Sequence, residues 1–402
     1  MTPGVASGAA APVPFSDRTA WQASEGRLAA EMDRARAEGR VRFDLAESNP
    51  ARCGLAGGPE LVAELGHPRG AGYEPDPRGH IEARRAVAAY HAERGVRVDP
   101  AHVVLTASTS EAYAWLFKLL CNGGDVALVP EPSYPLFELL ARLEDVRLSP
   151  YPLLVEEGFR VDREALSAAA AEGARAVLVV HPNNPTGSLL RRDDASAIEA
   201  LAAERGMALI VDEVFGDYAW PGLPADRLPT FAGRDTALTF VLSGLSKVLA
   251  MPQLKLGWMV VSGPAAQRDA ALARLEVIAD TYLSVGGPVQ RALPALLAAR
   301  APVQARILER VRANAAVLDT ALAGGGVGAR RLAIDAGWYA VVEVPRTESE
   351  DAWVLALLED EVLVHPGWFF DWPRAGYLVV SLLPGLAAFA EGARRLAARL
   401  GR

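Results

Sequence analysis

The sequence predicts an α/β fold: a large domain on a mostly parallel, helix-covered sheet, plus a smaller α+β domain formed by the N- and C-terminal segments. Three observations carry this. From about residue 79, helix-like and strand-like patterns alternate along the chain. The runs ValLeuValVal at 177–180 and LeuIleVal at 209–211 are apolar at every position, as strands are when helices cover both faces of a sheet. Past about residue 325 the rhythm changes to short strands interleaved with helices.

Taken in order, residues 16–39 carry Trp21, Leu28 and Met32 near helical spacing and end on Gly39, which reads as a first helix. A short strand at 43–46 leads into a loop rich in turn residues, from Ser48-Asn49-Pro50 to Gly58-Pro59. The alternating section then reads as helix 79–94, strand 102–106, helix 110–121, strand 125–130, helix 135–143, strand 174–181, helix 193–205 and strand 207–212. Strands at 236–242 and 257–261 extend the set, and long helices are expected at 264–283 and 303–322. The smaller unit has strands at 339–344, 362–365 and 376–382 and helices at 350–360 and 387–400. The chain thus divides into a flexible leader (1–14), an N-terminal segment joining the small domain (15–60), a large domain (61–290) and a small C-terminal domain (291–402).

With 51% hydrophobic and 22% charged residues, the chain can bury a substantial core. A net charge of −8 argues against general affinity for nucleic acid or anionic membranes. Cys53 and Cys121 are too few for a disulfide scaffold or a cysteine-rich metal site, and the six His show no paired-ligand spacing, so no metal is expected. No apolar run reaches about 18 residues, which predicts no membrane span. The Ala/Gly/Pro-rich start lacks the basic and apolar stretches of a signal peptide. A cytoplasmic protein is the expectation.

Of 41 basic residues, only Lys118, Lys247 and Lys255 are lysines. Arginine can serve wherever only positive charge is needed. A lysine is required where an amine must lose its proton and attack.

Ligands of a doubly wound sheet sit at the carboxyl ends of its strands, and four such segments have unusual content. Thr106-Ala107-Ser108-Thr109-Ser110-Glu111 opens a helix with small hydroxyl residues, which suits a phosphate cradle or a simple N-cap. In His181-Pro182-Asn183-Asn184-Pro185-Thr186-Gly187, Asn184 either aims its amide at a ligand or serves the turn. Asp212 ends an apolar strand and needs a cationic partner, either a cofactor nitrogen or a partner in a core salt bridge. In Leu242-Ser243-Gly244-Leu245-Ser246-Lys247, the lysine follows an apolar strand and a tight turn. Partial burial there lowers its pKa and favours imine formation with an aldehyde; the alternative is a snorkelling surface lysine.

Together, AsnAsnProThrGly, AspGluValPhe and SerLys, separated by 28 residues (184 to 212) and 35 residues (212 to 247), resemble the class I/II aminotransferase family of fold type I pyridoxal-phosphate enzymes. The likeness runs over roughly residues 40–385. It implies that Lys247 holds pyridoxal 5′-phosphate as an internal aldimine and later moves the proton between Cα and C4′. It implies that Asp212 pairs with the pyridine N1–H, that Asn184 bonds O3′ and that Tyr134 stacks on the ring. Ser108, Thr109, Ser246 and Lys255 fall at phosphate-contact positions, and Tyr73 at that of a tyrosine reaching the phosphate of a neighbouring subunit. The resemblance therefore implies a homodimer with shared sites, working on an amine or amino-acid donor and a carbonyl acceptor. A lyase, cyclase or decarboxylase on the same scaffold is the alternative. A transcriptional regulator with an aminotransferase-like body is disfavoured by the short N-terminal segment and the acidic charge.

Four positions depart from the family pattern. Phe215 stands where a Tyr usually donates to O3′, with Tyr218 a nearby substitute to consider; the loss predicts a higher aldimine pKa. Lys255 stands where an Arg usually holds the phosphate, and Gly244 where many relatives have Ser. In Tyr377-Leu378-Val379-Val380-Ser381-Leu382, Val379 occupies the position of the Arg that clamps the substrate carboxylate. Arg52 and Arg374 are the candidate replacements, and 367–372 is a candidate wall for a bulky substrate.

Overall fold

The structure, a computed structural model, describes residues 13–20, 26–66, 72–324 and 328–401. The strands are β1 (Phe43–Asp44), β2 (Val103–Thr106), β3 (Val126–Glu131), β4 (Arg147–Leu154), β5 (Arg160–Val161), β6 (Ala176–Val180), β7 (Ala208–Asp212) and β8 (Thr239–Gly244). They continue with β9 (Gly257–Ser262), β10 (Arg330–Arg331), β11 (Tyr339–Glu343), β12 (Val362–Leu363), β13 (His365–Pro366) and β14 (Tyr377–Ser381).

An eight-stranded sheet has the order β2-β9-β8-β7-β6-β3-β4-β5. Strands β8, β7, β6, β3 and β4 run parallel, β9 is antiparallel to both β8 and β2, and β5 is a short antiparallel edge. Every residue of β2, β6, β7 and β8 is buried. The strand period of two divides them between two cores. Val177, Val179, Leu209, Val211 and Val241 face one core. Leu178, Val180, Ile210, Phe240 and Leu242 face the other. Each such side chain contributes about 1.5–3 kcal/mol when fully buried. This two-sided burial explains the unbroken apolar runs.

A second, four-stranded antiparallel sheet has the order β10-β11-β14-β13. The N-terminal segment reaches this region through β1, which pairs in parallel with β12, Phe43 opposite Val362. The architecture is the expected one: a large parallel-type sheet under helices and a smaller α+β unit.

Several elements differ from expectation. The first helix does not begin at residue 16: Ser16 caps a single 3-10 turn, Asp17–Thr19, and the helix proper is Arg27–Ala37 after Gly26. Trp21 and most of the leader lie outside the described residues. The strand expected at 43–46 pairs only at Phe43–Asp44. Strand β4 escapes the sequence reading because Pro150 and Pro152 argue against a strand. They are tolerated because β4 pairs with β3 along one side, and β5 covers only Leu153 and Leu154 on the other. The helix Arg163–Ala170 is too Ala-rich to show a stripe, and Gly287–Ala298 carries Pro294 inside it.

Candidate active site

The carboxyl ends of β2, β3, β6, β7 and β8 lie along one edge of the large sheet, bringing the segments singled out above to one place. Lys247 follows β8 in the short helix Leu245–Val248. Its Nζ lies 5.5 Å from the ring centre of Phe215 and 5.0 Å from that of Trp338. Burial pushes its amine below the ordinary lysine range, while Asp212 pulls the other way. The result is an amine closer to its neutral, nucleophilic form.

Asp212 ends β7 and is only 7% exposed. The Val214 N–H donates to Oδ1 at 3.0 Å, and the Tyr113 hydroxyl donates to Oδ2 at 3.2 Å. Burial raises its pKa to about 6, although Val214, Tyr113 and Lys247 each lower it. Among the described residues no salt bridge to it is formed, and Lys247 is the cation whose charge acts on it. A carboxylate accepts about four hydrogen bonds, so this one keeps capacity for a further donor.

The turn after β6 separates two neighbouring amides. Asn183 holds the turn: its Oδ1 accepts from Thr186 Oγ1 at 2.9 Å and its Nδ2 donates to the Pro132 carbonyl at 3.2 Å. Asn184 is thereby released from turn duty, and its Oδ1 is buried without a partner.

Ser108 caps the helix Thr109–Leu120, accepting from the Glu111 N–H at 3.1 Å, while Glu111 reaches back to the Ala107 N–H at 2.6 Å. Thr109 begins that helix, so both hydroxyls stand at its positive end. Two glycines let the neighbouring backbones close in. A Cβ on Gly257 would meet the Ser243 carbonyl at 3.1 Å and the Ser108 carbonyl carbon at 3.2 Å, and one on Gly244 would meet Gly257 Cα at 2.9 Å. A side chain at 244 would thus push β9 away, which accounts for glycine there.

Tyr134, 39% exposed, follows β3; burial and the Asp212 charge raise its hydroxyl pKa. Ser246 is half-buried beside Lys247, and the neighbouring Ser243 Oγ is buried without a partner. Among the described residues, the remaining candidates form no hydrogen bond or ion pair with Lys247, Asp212 or Asn184. Lys255 is exposed in a left-handed conformation (φ 50°), and Tyr73 is 81% exposed on a loop lining a separate cleft with Trp115 and Gln290. Arg52, exposed, pairs at 3.2 Å with the part-buried Glu47, whose charge acts on Tyr339, and Arg374 pairs with Glu156 at 2.5 Å on the surface. Neither bonds to the strand-end residues. Val379 is fully buried between Val341 and His365.

Phe215 packs edge-on against Trp338 at 4.9 Å. Tyr218 does not replace a hydroxyl at 215, because it donates to the Lys247 main-chain carbonyl at 2.6 Å. Sequence reasoning missed Tyr113, Trp338 and Tyr339. Tyr113 reads as a core aromatic; Trp338, just before β11, meets Lys247, and Tyr339, the first residue of β11, meets Phe215, only through tertiary packing. Tyr339 has Ser48 and Tyr134 beside it, and burial raises its hydroxyl pKa to about 12.

Pyridoxal 5′-phosphate fits this donor set. Lys247 can meet its aldehyde, Asp212 its ring nitrogen and Asn184 its ring oxygen, while the hydroxyl-rich helix end can meet its phosphate. The unpartnered Asn184 and Ser243 oxygens are the kind of buried atoms a polar ligand satisfies.

A family model described as aminotransferase class I and II matches residues 61–384. The arginine–pyruvate transaminase AruH of Pseudomonas aeruginosa is 32% identical over 329 residues, 80% of this chain and 81% of that protein. The glutamate–pyruvate aminotransferase AlaA of Escherichia coli K12 is 25% identical over 370 residues, 89% of this chain and 90% of that protein. Among solved structures, an alanine aminotransferase from Pyrococcus furiosus superposes with a TM-score of 0.85 at 22% identity, covering 96% of this chain and 98% of that one.

Proposed function

The chain belongs to the class I and II aminotransferase family, and we propose that its pyridoxal-phosphate-dependent transamination runs on the cluster of Lys247, Asp212, Asn184 and Tyr134. The bound cofactor supplies an aldehyde and a ring that stores electrons released at the substrate carbon. The observation that carries the reading is geometric: the half-buried Lys247, the buried Asp212 and the unpartnered Asn184 oxygen follow the carboxyl ends of three adjacent parallel strands.

In this reading Lys247 covers both amine chemistry and proton transfer at the substrate carbon. Asp212 holds a proton on the ring nitrogen, Asn184 bonds the ring oxygen, and Tyr134 covers the ring face. Ser108, Thr109, Ser246 and Lys255 hold the phosphate, and Tyr73 reaches the phosphate of the neighbouring subunit. That assignment makes the enzyme a homodimer with shared sites, in keeping with the exposure of Tyr73. No helix among the described residues is long and apolar enough to cross a membrane, and a cytoplasmic enzyme is proposed. The division at about residues 60 and 290 is proposed as the domain boundary.

The relatives named for pyruvate support a small 2-oxo acid as acceptor. The donor is proposed to be atypical, because the clamp position is Val379 and the groups packed around the Lys247 amine are the rings of Phe215 and Trp338. A donor panel with and without α-carboxylates tests this, read as conversion of bound pyridoxal phosphate to pyridoxamine phosphate. Conversion by at least one donor, abolished in Lys247→Ala, is expected. Turnover of a donor without that conversion would overturn it.

A further inference from the structure

Resting on the assignment of Asp212 to the ring nitrogen, we propose that Tyr113 is the positioning residue that keeps the Asp212 carboxylate oriented and ionised for that contact. The Tyr113 hydroxyl is a donor to Oδ2 at 3.2 Å, and the Val214 N–H to Oδ1 at 3.0 Å. With one donor on each oxygen, rotation of the carboxylate about Cβ–Cγ is blocked. The Tyr113 ring is buried, held edge-on by Phe137 at 5.1 Å and flanked by Phe117 at 6.3 Å, so its hydroxyl has no other direction to take.

The placement also links the two ends of the cofactor seat. Tyr113 lies one turn into the helix that Ser108 caps and Thr109 begins. One rigid element therefore carries the phosphate contacts at its tip and the donor to the acid on its inner face. A shift of the helix would move both together.

The chemistry follows from where a proton sits. A ring nitrogen and a buried carboxylate share one proton, and a donor to the carboxylate favours its charged form and leaves the proton on nitrogen. The charged and titratable groups facing Asp212 are Tyr113 from the helix, Lys247 after β8, Tyr134 after β3 and Glu213 next in chain. Of these, Tyr113 alone donates a hydrogen bond to it. A hydrogen bond to a charged group corresponds to roughly ten- to a hundredfold in equilibrium.

The test uses pyridoxine 5′-phosphate, which lacks the aldehyde and cannot condense with Lys247. Its dissociation constant and the pH midpoint of ring-nitrogen protonation, read by ¹⁵N NMR of ring-labelled compound, are measured for the wild type, Tyr113→Phe and Asp212→Asn. The expected result for Tyr113→Phe is about tenfold or greater weakening and a midpoint lower by about one unit or more. Should the phenylalanine variant fail to fold, 2,3-difluorotyrosine at position 113 keeps the shape and strengthens the donor, and the midpoint should rise. An unshifted midpoint in either variant, with Asp212→Asn still lowering it, overturns the role of Tyr113 and leaves that of Asp212 standing. No shift in Asp212→Asn overturns both.

Discussion

Asp212→Asn in the cofactor-free protein separates a stability cost from a binding function. Asp212 is raised from 3.8 to about 6 by burial, so between those values the folded state binds more protons than the unfolded one. Stability then falls as pH rises through this window. The shift is roughly two units at about 1.36 kcal/mol each, or about 3 kcal/mol, fully present above pH 6 and relieved below about pH 4. Asparagine is close to isosteric. Its oxygen can accept from the Val214 N–H, and its amide can donate to Tyr113 once that hydroxyl turns. Lys247 loses its counter-charge, which offsets part of the gain. The net expectation is that the variant is about 1–3 kcal/mol more stable than the wild type at pH 8, with the difference shrinking toward pH 4. Urea unfolding of cofactor-free protein across that pH range measures it. The same variant should bind cofactor more weakly. A variant less stable at pH 8, or a difference independent of pH, would refute the account of Asp212 as a buried acid held at a cost.

Lys247→Arg keeps a charge but not an amine that condenses; borohydride treatment should then fix no cofactor to the protein, detected by peptide mass, and turnover should fall by about a thousandfold or more. Gly257→Ala puts a methyl group against the Ser243 and Ser108 backbones and should cost about 1–3 kcal/mol, seen in unfolding, together with weaker inorganic phosphate binding. Phe215→Tyr should lower the pH midpoint of the visible absorbance of the loaded protein, because a hydroxyl donating to the ring oxygen competes for the shared proton. Tyr218→Phe removes a bond to the Lys247 carbonyl and should destabilise the fold by about 1 kcal/mol, readable as a lower urea midpoint.

Much of the candidate site was legible in sequence because each strand-end segment is local. A turn after an apolar strand constrains its own residues, and the order of Asn184, Asp212 and Lys247 along the chain needs no knowledge of the fold. What such segments do to one another is a different matter. That Asn183 rather than Asn184 holds the turn depends on Thr186 and Pro132, the latter a distant residue. Strand β4 was hidden by its two prolines, whose tolerance depends on a sheet edge. The three missed side chains read as ordinary core because an aromatic residue in an apolar stripe looks the same whether or not its polar atom faces a carboxylate.

Local patterning determined the α/β class and the two-sided burial of the central strands, and it singled out Lys247, Asp212 and Asn184 as the candidate lysine, acid and amide. Residue type and near-neighbour spacing suffice for those properties. Tertiary structure decided that Tyr113 reaches Asp212 across 99 residues of chain, that Trp338 closes over Lys247, and that Arg52 and Arg374 pair with Glu47 and Glu156. Those outcomes depend on which elements the sheet order makes neighbours, and hydrogen bonds and burial act through space rather than along the chain.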